Sequence, residues 1–260
     1  MKKTLLDIEV FYEHFEVSIE DYNTCEKTSY FVNQIRDDRL LIRDYLRNYK
    51  GFMITFNGLR YDFAVLTYID QNNWFLDLSW EDFCEKAKIF SDTLIKTKDD
   101  LFVYQYMNKS FKQIIQIDLY LFWARLLRIS KKVSLKGLGI QLKYPVIQEL
   151  PYDPDIRNLT VEQINEINHY CSIHDLGVLR LLTDQLEGTK TTVPLGDLGT
   201  IQLRNIIQKE YGISAWSMDA PKIASTALLN HYCRVTGLDP KVVSKWRFER
   251  PVFKFGDLFK

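Results

Sequence analysis

Leu5-Leu6-Asp7-Ile8-Glu9 is an apolar run that carries two carboxylates, and few folds can house it. In an extended strand successive side chains alternate faces, so Asp7 and Glu9 project together while Leu6, Ile8 and Val10 face the other way. Two neighbouring carboxylates repel and raise each other's pKa unless positive charge lies between them. A hard divalent cation, which takes oxygen ligands, is one remedy. Display of the pair to water, as a polar stripe on an edge strand, is the other. The choice turns on whether the rest of the chain supplies further carboxylates.

Around that run the pattern predicts strands over Thr4–Val10, Phe15–Ile19 and Thr28–Asn33, an opening meander with a turn at Asp21-Tyr22-Asn23. Apolar spacing predicts a helix over Asp37–Tyr49. A short buried strand over Gly51–Phe56 then ends at Asn57-Gly58, and a helix follows over Tyr61–Ile69. Trp80–Ile89 reads as helical, Leu101–Tyr106 as extended and Gln113–Leu119 as a strand. Helices are expected over Leu119–Ile129 and over Val133–Leu142, the latter with Ser134 as N-cap. Thr160-Val161-Glu162-Gln163 starts a long helix reaching about Leu186. Gly188–Gly199 is the linker candidate, followed by helices near Thr200–Tyr211 and Ala220–Val235. The whole predicts an α/β domain with a mixed sheet over 1–190 and a helical extension over 197–260.

Charge and cysteine content narrow the function classes. Lys+Arg and Asp+Glu both number 34, so no global field draws the chain to nucleic acid or membrane. The four cysteines are scattered without a C-x-x-C pair, which argues against a zinc ribbon and suits a reducing compartment. No run approaches the ~20 apolar residues of a membrane span. A cytoplasmic protein is expected (in the host cytoplasm if phage-encoded).

Two further carboxylates stand in suggestive places. Asp62 falls in the first turn of a helix just after the strand that ends at Asn57, and ends of strands are where α/β folds put ligands; it also suits a plain helix-start residue. Asp175 is followed by Leu176, Val178, Leu179 and Leu182, and an aspartate among so many apolar residues needs a partner; a solvated helix face is the other reading. Taken in order, Asp7-x-Glu9, Asn57-x-x-x-Tyr61-Asp62 and Tyr170 followed by Asp175 resemble the DEDD family of 3′–5′ exonucleases. The likeness covers about residues 3–187 and is greatest to the exonuclease domains of phage-type DNA polymerases. Ile117-Asp118-Leu119-Tyr120 and Ser134-Leu135-Lys136 fall where that family has similar segments.

The resemblance implies a ribonuclease-H-like mixed sheet flanked by helices. It also implies two divalent cations, Mg2+ or Mn2+, held by Asp7, Glu9, Asp62 and Asp175, with Asp7 touching both. Such a pair, about 3.5–4 Å apart, stabilises the attacking and leaving oxygens of an in-line phosphoryl displacement. The implied substrate is the 3′ end of single-stranded DNA, released as nucleoside 5′-monophosphates, with proofreading for a DNA polymerase as the use. An RNA-trimming exoribonuclease and a non-catalytic binding module that keeps the fold are the alternatives.

In that family a tyrosine four residues before the last aspartate, or a histidine five before it, orients the attacking water. Tyr170 stands five before Asp175. Along an α-helix that spacing turns the two side chains about 140° apart. Either the helix is irregular there, or Tyr170 takes the histidine's position.

For substrate contact, the stretch from Leu119 to Gln148 holds no acidic residue but six basic ones, from Arg125 to Lys143. It reads as a solvated face or a phosphate-binding rim, with Lys136 as first choice for a phosphate. Phe11 and Tyr12 are expected to stack on the terminal base or pack in the core. Asn57 and Tyr61 are placed in the strand-binding cleft.

Overall fold

The computed structural model describes residues 2–97, 99–106, 110–121, 133–187, 200–213, 215 and 220–245. The chain divides into two compact units, Met1–Asp197 and Leu198–Lys260. The first is an α/β unit built on a five-stranded mixed sheet in the order β3-β2-β1-β4-β5. Strands β1 (Lys3–Val10), β2 (His14–Asp21) and β3 (Lys27–Asn33) form the antiparallel meander expected from their alternation. β4 (Gly51–Thr55) and β5 (Ile114–Asp118) add in parallel beyond β1, which makes β1 the central strand.

One face of β1 and β2 is apolar. Leu6, Ile8, Val10, Phe15, Val17 and Ile19 pack with Ile42 and Leu46 of α1 (Arg39–Asn48), Phe63 and Leu66 of α2 (Asp62–Gln71) and Phe83 and Phe90 of α3 (Trp80–Lys96). α3 starts where the Ser79 hydroxyl accepts the Asp82 amide, and it runs two turns past the expected Ile89. The other face, carrying Asp7 and Glu9, is covered by a helical segment made of α6 (Val161–His169), a π-helical turn (Tyr170–Asp175) and α7 (Leu176–Glu187). The start of this segment is legible in the sequence: Thr160 and Gln163 close a reciprocal capping box. Arg180 and Lys3 bind it to the sheet through Glu20 and Glu187.

Leu101–Tyr106 is not extended. It lies within helix α4 (Asp100–Tyr106), whose entry is fixed by the Leu101 amide bonding to Asp99. Tyr106 packs edge-on against Phe90, Tyr68 and Phe102, so ring packing overrides the local β preference. Helix α5 (Leu135–Gln141) has Ser134 as its N-cap, bonded to the Gly137 amide. Most of the helix expected over Leu119–Ile129, with Arg125, Arg128, Lys131 and Lys132, lies outside the described residues, as does the Gly188–Gly199 linker.

The second unit contains α8 (Thr200–Tyr211), α9 (Ala220–Thr236) and α10 (Pro240–Val243), with Ile213, Ala215 and Ile223 as its small core. The four cysteines are free thiols, and among the described residues no helix is long and apolar enough to cross a membrane.

Candidate metal centre

The parallel strands β1, β4 and β5 deliver their carboxyl ends to one place, where α/β sheets put ligands. Asp118, buried at the end of β5, accepts the backbone amides of Asn57 at 2.8 Å, Leu59 at 3.2 Å and Tyr120 at 3.0 Å. These bonds fix the loop after β4. Asn57 itself has φ +63°, a left-handed conformation that asparagine tolerates. Gly58 is required because a Cβ there would lie 2.1 Å from the Thr55 hydroxyl. The loop thus starts α2 with Asp62 buried and aimed at β1, where the backbone N–H groups of Ile8 and of Asp62 itself hold its carboxylate.

Asp7, Glu9, Asp62 and Asp175, the four carboxylates that the resemblance implies, lie near enough for the charges of Asp62 and Asp175 to act on both Asp7 and Glu9. Burial, then the charges of Asp175, Asp62 and Glu9, hold the Asp7 carboxyl well above the usual carboxylate range. Glu9 is raised by burial and by Asp175, Glu16 and Asp62, against a lowering by Lys136. Burial pushes Asp62 up to about 8. It pushes Asp175 up to about 6, against the opposing effects of a Tyr170 hydrogen bond and Lys136.

The spacing of Tyr170 resolves through the π-helical turn. The Leu176 amide bonds to the Cys171 carbonyl, an i to i+5 bond that widens the turn by one residue. Tyr170 and Asp175 then share a face, and the Tyr170 hydroxyl donates to Asp175 Oδ1 at 3.1 Å. Two outside groups brace the turn: Lys27 Nζ donates to the Ser172 carbonyl at 2.6 Å, and the Tyr144 hydroxyl to the Ile173 carbonyl at 3.2 Å. Tyr144 reaches this place because residue 177 is glycine; a Cβ would stand 1.9 Å from its hydroxyl. Burial and the charges of Asp175 and Glu9 drive the Tyr170 phenol far above its ordinary pKa, so it is a hydrogen-bond donor and not a base. Lys136 Nζ sits 5.2 Å from the centre of the Tyr170 ring and 2.8 Å from Glu149.

Not every expected contact residue reaches the site. Phe11 is fully buried among Leu159, Ile164 and Ile167, so it is a core residue and not a stacking platform for a base. The strand ends at Val10, and the Phe11 amide bonds to the His14 carbonyl, turning its ring under α6. Tyr12 carries the Arg157 guanidinium 4.0 Å from its ring centre and Lys88 Nζ at 5.2 Å. Asn57 and Tyr61 line a cleft of about 520 Å³ together with Phe56, Arg60 and Tyr120. The Tyr61 hydroxyl is bonded to Ser91.

Residues missed by sequence reasoning lie beside the carboxylates. Cys171 is fully buried, and its thiol donates to Asp7 Oδ2 at 3.5 Å; ligand atoms of Asp7, Glu9 and Cys171 lie within 4.8 Å of one another. Burial and the surrounding negative charge raise the thiol well above its usual pKa, which keeps it a protonated donor to Asp7. His14, Glu16 and Ser18 of β2 share the face of Asp7 and Glu9 and are fully buried. Their signal was the alternation His14-Phe15-Glu16-Val17-Ser18-Ile19, which normally marks a strand with one face in water.

The donor set fits a hard divalent cation. Ligand atoms of Asp7 and Glu9 lie within 4.8 Å of each other, the charges of Asp62 and Asp175 raise both carboxyls, and Lys136 lowers Glu9 and Asp175. Without cation, Asp62 and Asp175 keep protons in the folded state that the unfolded chain, near its ordinary pKa of about 3.9, has released. Folded-state proton affinity is the higher, so stability falls as pH rises from about 4 to about 8. In EDTA the thermal midpoint should therefore drop between about pH 5 and about pH 8, and Mn2+ should restore it most at the higher pH. A midpoint that climbs over that range in EDTA would contradict the assignment.

Comparison with family models, with curated proteins and with solved structures returned no match, so the reading of this centre rests on its own chemistry.

Proposed function

We propose that the protein is a metal-dependent 3′–5′ exonuclease of the DEDD type, on a ribonuclease-H-like fold, that acts on single-stranded DNA ends. The observation that carries this reading is the π-helical turn, which sets the Tyr170 hydroxyl on Asp175 within a cluster of four buried or half-buried carboxylates. A helix built only to cover a sheet has no use for an inserted residue, and π-turns recur at functional sites.

Asp7, Glu9, Asp62 and Asp175 would hold the divalent cations, Mg2+ or Mn2+, which supply charge stabilisation at the attacking and leaving oxygens of the phosphodiester. Tyr170, kept protonated, positions the attacking water by donating or accepting a hydrogen bond beside Asp175. Lys136 exchanges Glu149, which is largely exposed, for a substrate phosphate. Asn57 and Tyr61 steer the strand along the cleft they line. The polarity, the choice of DNA and a proofreading partnership with a polymerase come from the resemblance, and the helical unit over 198–260 is the proposed connection to that partner.

The test is digestion of single strands labelled at either end, in DNA and RNA versions, with Mn2+ or Mg2+. The expected product is a ladder shortened from the 3′ end with release of 5′-mononucleotides. Internal cuts, or no cleavage with either ion, would overturn the proposal, and faster RNA trimming would replace its substrate.

A further inference from the structure

Glu16 lies directly across from Glu9 in the β1–β2 register and is fully buried. Like charges in directly opposed positions destabilise a sheet, and a buried charge is costly unless it is compensated. The neighbouring His14, with Nε2 3.1 Å from Glu16 Oε2, offers an ion pair as the compensation. The hydrogen-bond directions rule that out. Asn33 Oδ1 accepts the backbone amides of Ile35 at 2.8 Å and Arg36 at 3.0 Å, so its Nδ2 is the atom that meets His14 Nδ1 at 3.0 Å. A donor facing Nδ1 makes that nitrogen an acceptor. The imidazole is then neutral, with its one proton on Nε2, directed at Glu16.

The other carboxylate oxygen is served in the same sense. Ser18 Oγ donates to Glu16 Oε1 at 2.5 Å, and Ser29 Oγ lies 2.7 Å behind Ser18 to complete the relay. Two chains of donors thus end on one buried carboxylate and bring it no positive charge. On its other side, Glu9 stands between Glu16 and the cation site.

We propose that Glu16 is a positioning residue of the metal centre, a fifth carboxyl group fixed by His14 and Ser18 directly across from Glu9, through which it raises affinity for divalent cations. The inference rests on the metal-site reading above. Outer carboxylates and hydrogen-bond partners of metal ligands typically change metal affinity by about 10–100-fold when altered.

Glu16→Gln keeps the shape and an acceptor for His14 while removing the charge. Its Mn2+ dissociation constant, measured by calorimetry or by the electron paramagnetic resonance of free Mn2+, should rise about tenfold or more. Its thermal midpoint in EDTA should rise as well, because a like charge beside Glu9 is gone. A purely structural glutamate would behave the other way, with a lower midpoint in EDTA and unchanged Mn2+ affinity, and that result would overturn the proposal. Should Glu16→Gln not fold, Ser18→Ala removes one donor from Glu16 and should also weaken Mn2+ binding; unchanged binding there counts equally against it. Wild-type protein that binds no Mn2+, or Asp7→Ala protein that binds it like wild type, would bring down the metal-site reading and this inference together. Wild-type binding that Asp7→Ala loses and Glu16→Gln keeps would bring down this inference alone.

Discussion

Replacing Asp7 by alanine is expected to abolish cation-dependent digestion of single-stranded DNA, a loss on the order of 10³-fold or more in rate. Asp7 lies centrally: the carboxylates of Asp175, Asp62 and Glu9 all act on it, and the Cys171 thiol is turned toward it. The same substitution should raise the thermal midpoint in EDTA, since it relieves repulsion among buried carboxylates. Loss of activity with gain of stability separates a destroyed site from a misfolded protein. An Asp7→Ala variant that digests DNA at the wild-type rate would end the metal-site reading.

Tyr170→Phe removes one oxygen atom and should lower the turnover rate on the order of 10²-fold, the scale of a lost positioned hydrogen-bonding group. Mn2+ should still bind. Because the Tyr170 hydroxyl lowers the Asp175 pKa, its removal should lift Asp175 further above about 6. Ligands must be deprotonated to hold a cation, so the rising limb of activity against pH should move to higher pH. Rate measurements across pH at saturating Mn2+ read both effects. Wild-type turnover would mean that another group orients the water, while leaving the carboxylate cluster in place.

The sheet and most helices could be read from the chain because each is announced locally. Alternation marks β1 and β2, Ser79, Ser134 and Thr160 cap their helices, and Asn57-Gly58 ends β4. The carboxylates are singled out by their order along the chain and its resemblance to a known family, since the strand period of Asp7 and Glu9 and the helix-start place of Asp62 each suit a surface residue as well. Other features depend on tertiary packing and leave no local trace. Phe11 looks like an exposed ring beside a site, yet the amide bond to His14 turns it under α6. Leu101–Tyr106 has strand-like composition, but the edge-on contacts of Tyr106 with Phe90 and Tyr68 hold it helical. Glu16 sits in an alternation whose polar half would ordinarily meet water; only the covering helix makes it interior. The extra residue before Asp175 could be counted in the sequence, but its absorption by a wider turn depends on Lys27 and Tyr144 arriving from elsewhere.

That wider turn also acts as a phase shifter between two helices. One residue of α-helix corresponds to about 100° of rotation, so the inserted position lets α6 and α7 face the sheet with independently set orientations. Deleting a residue between Cys171 and His174 would restore the common four-residue interval, yet it could not restore an ordinary site. Either Tyr170 would swing off Asp175, or the buried Leu176, Leu179, Leu182 and Leu186 would rotate out of the interior. The extra residue of the turn is therefore locked in by the leucines downstream of it, and its removal would require rebuilding the C-terminal half of the helix.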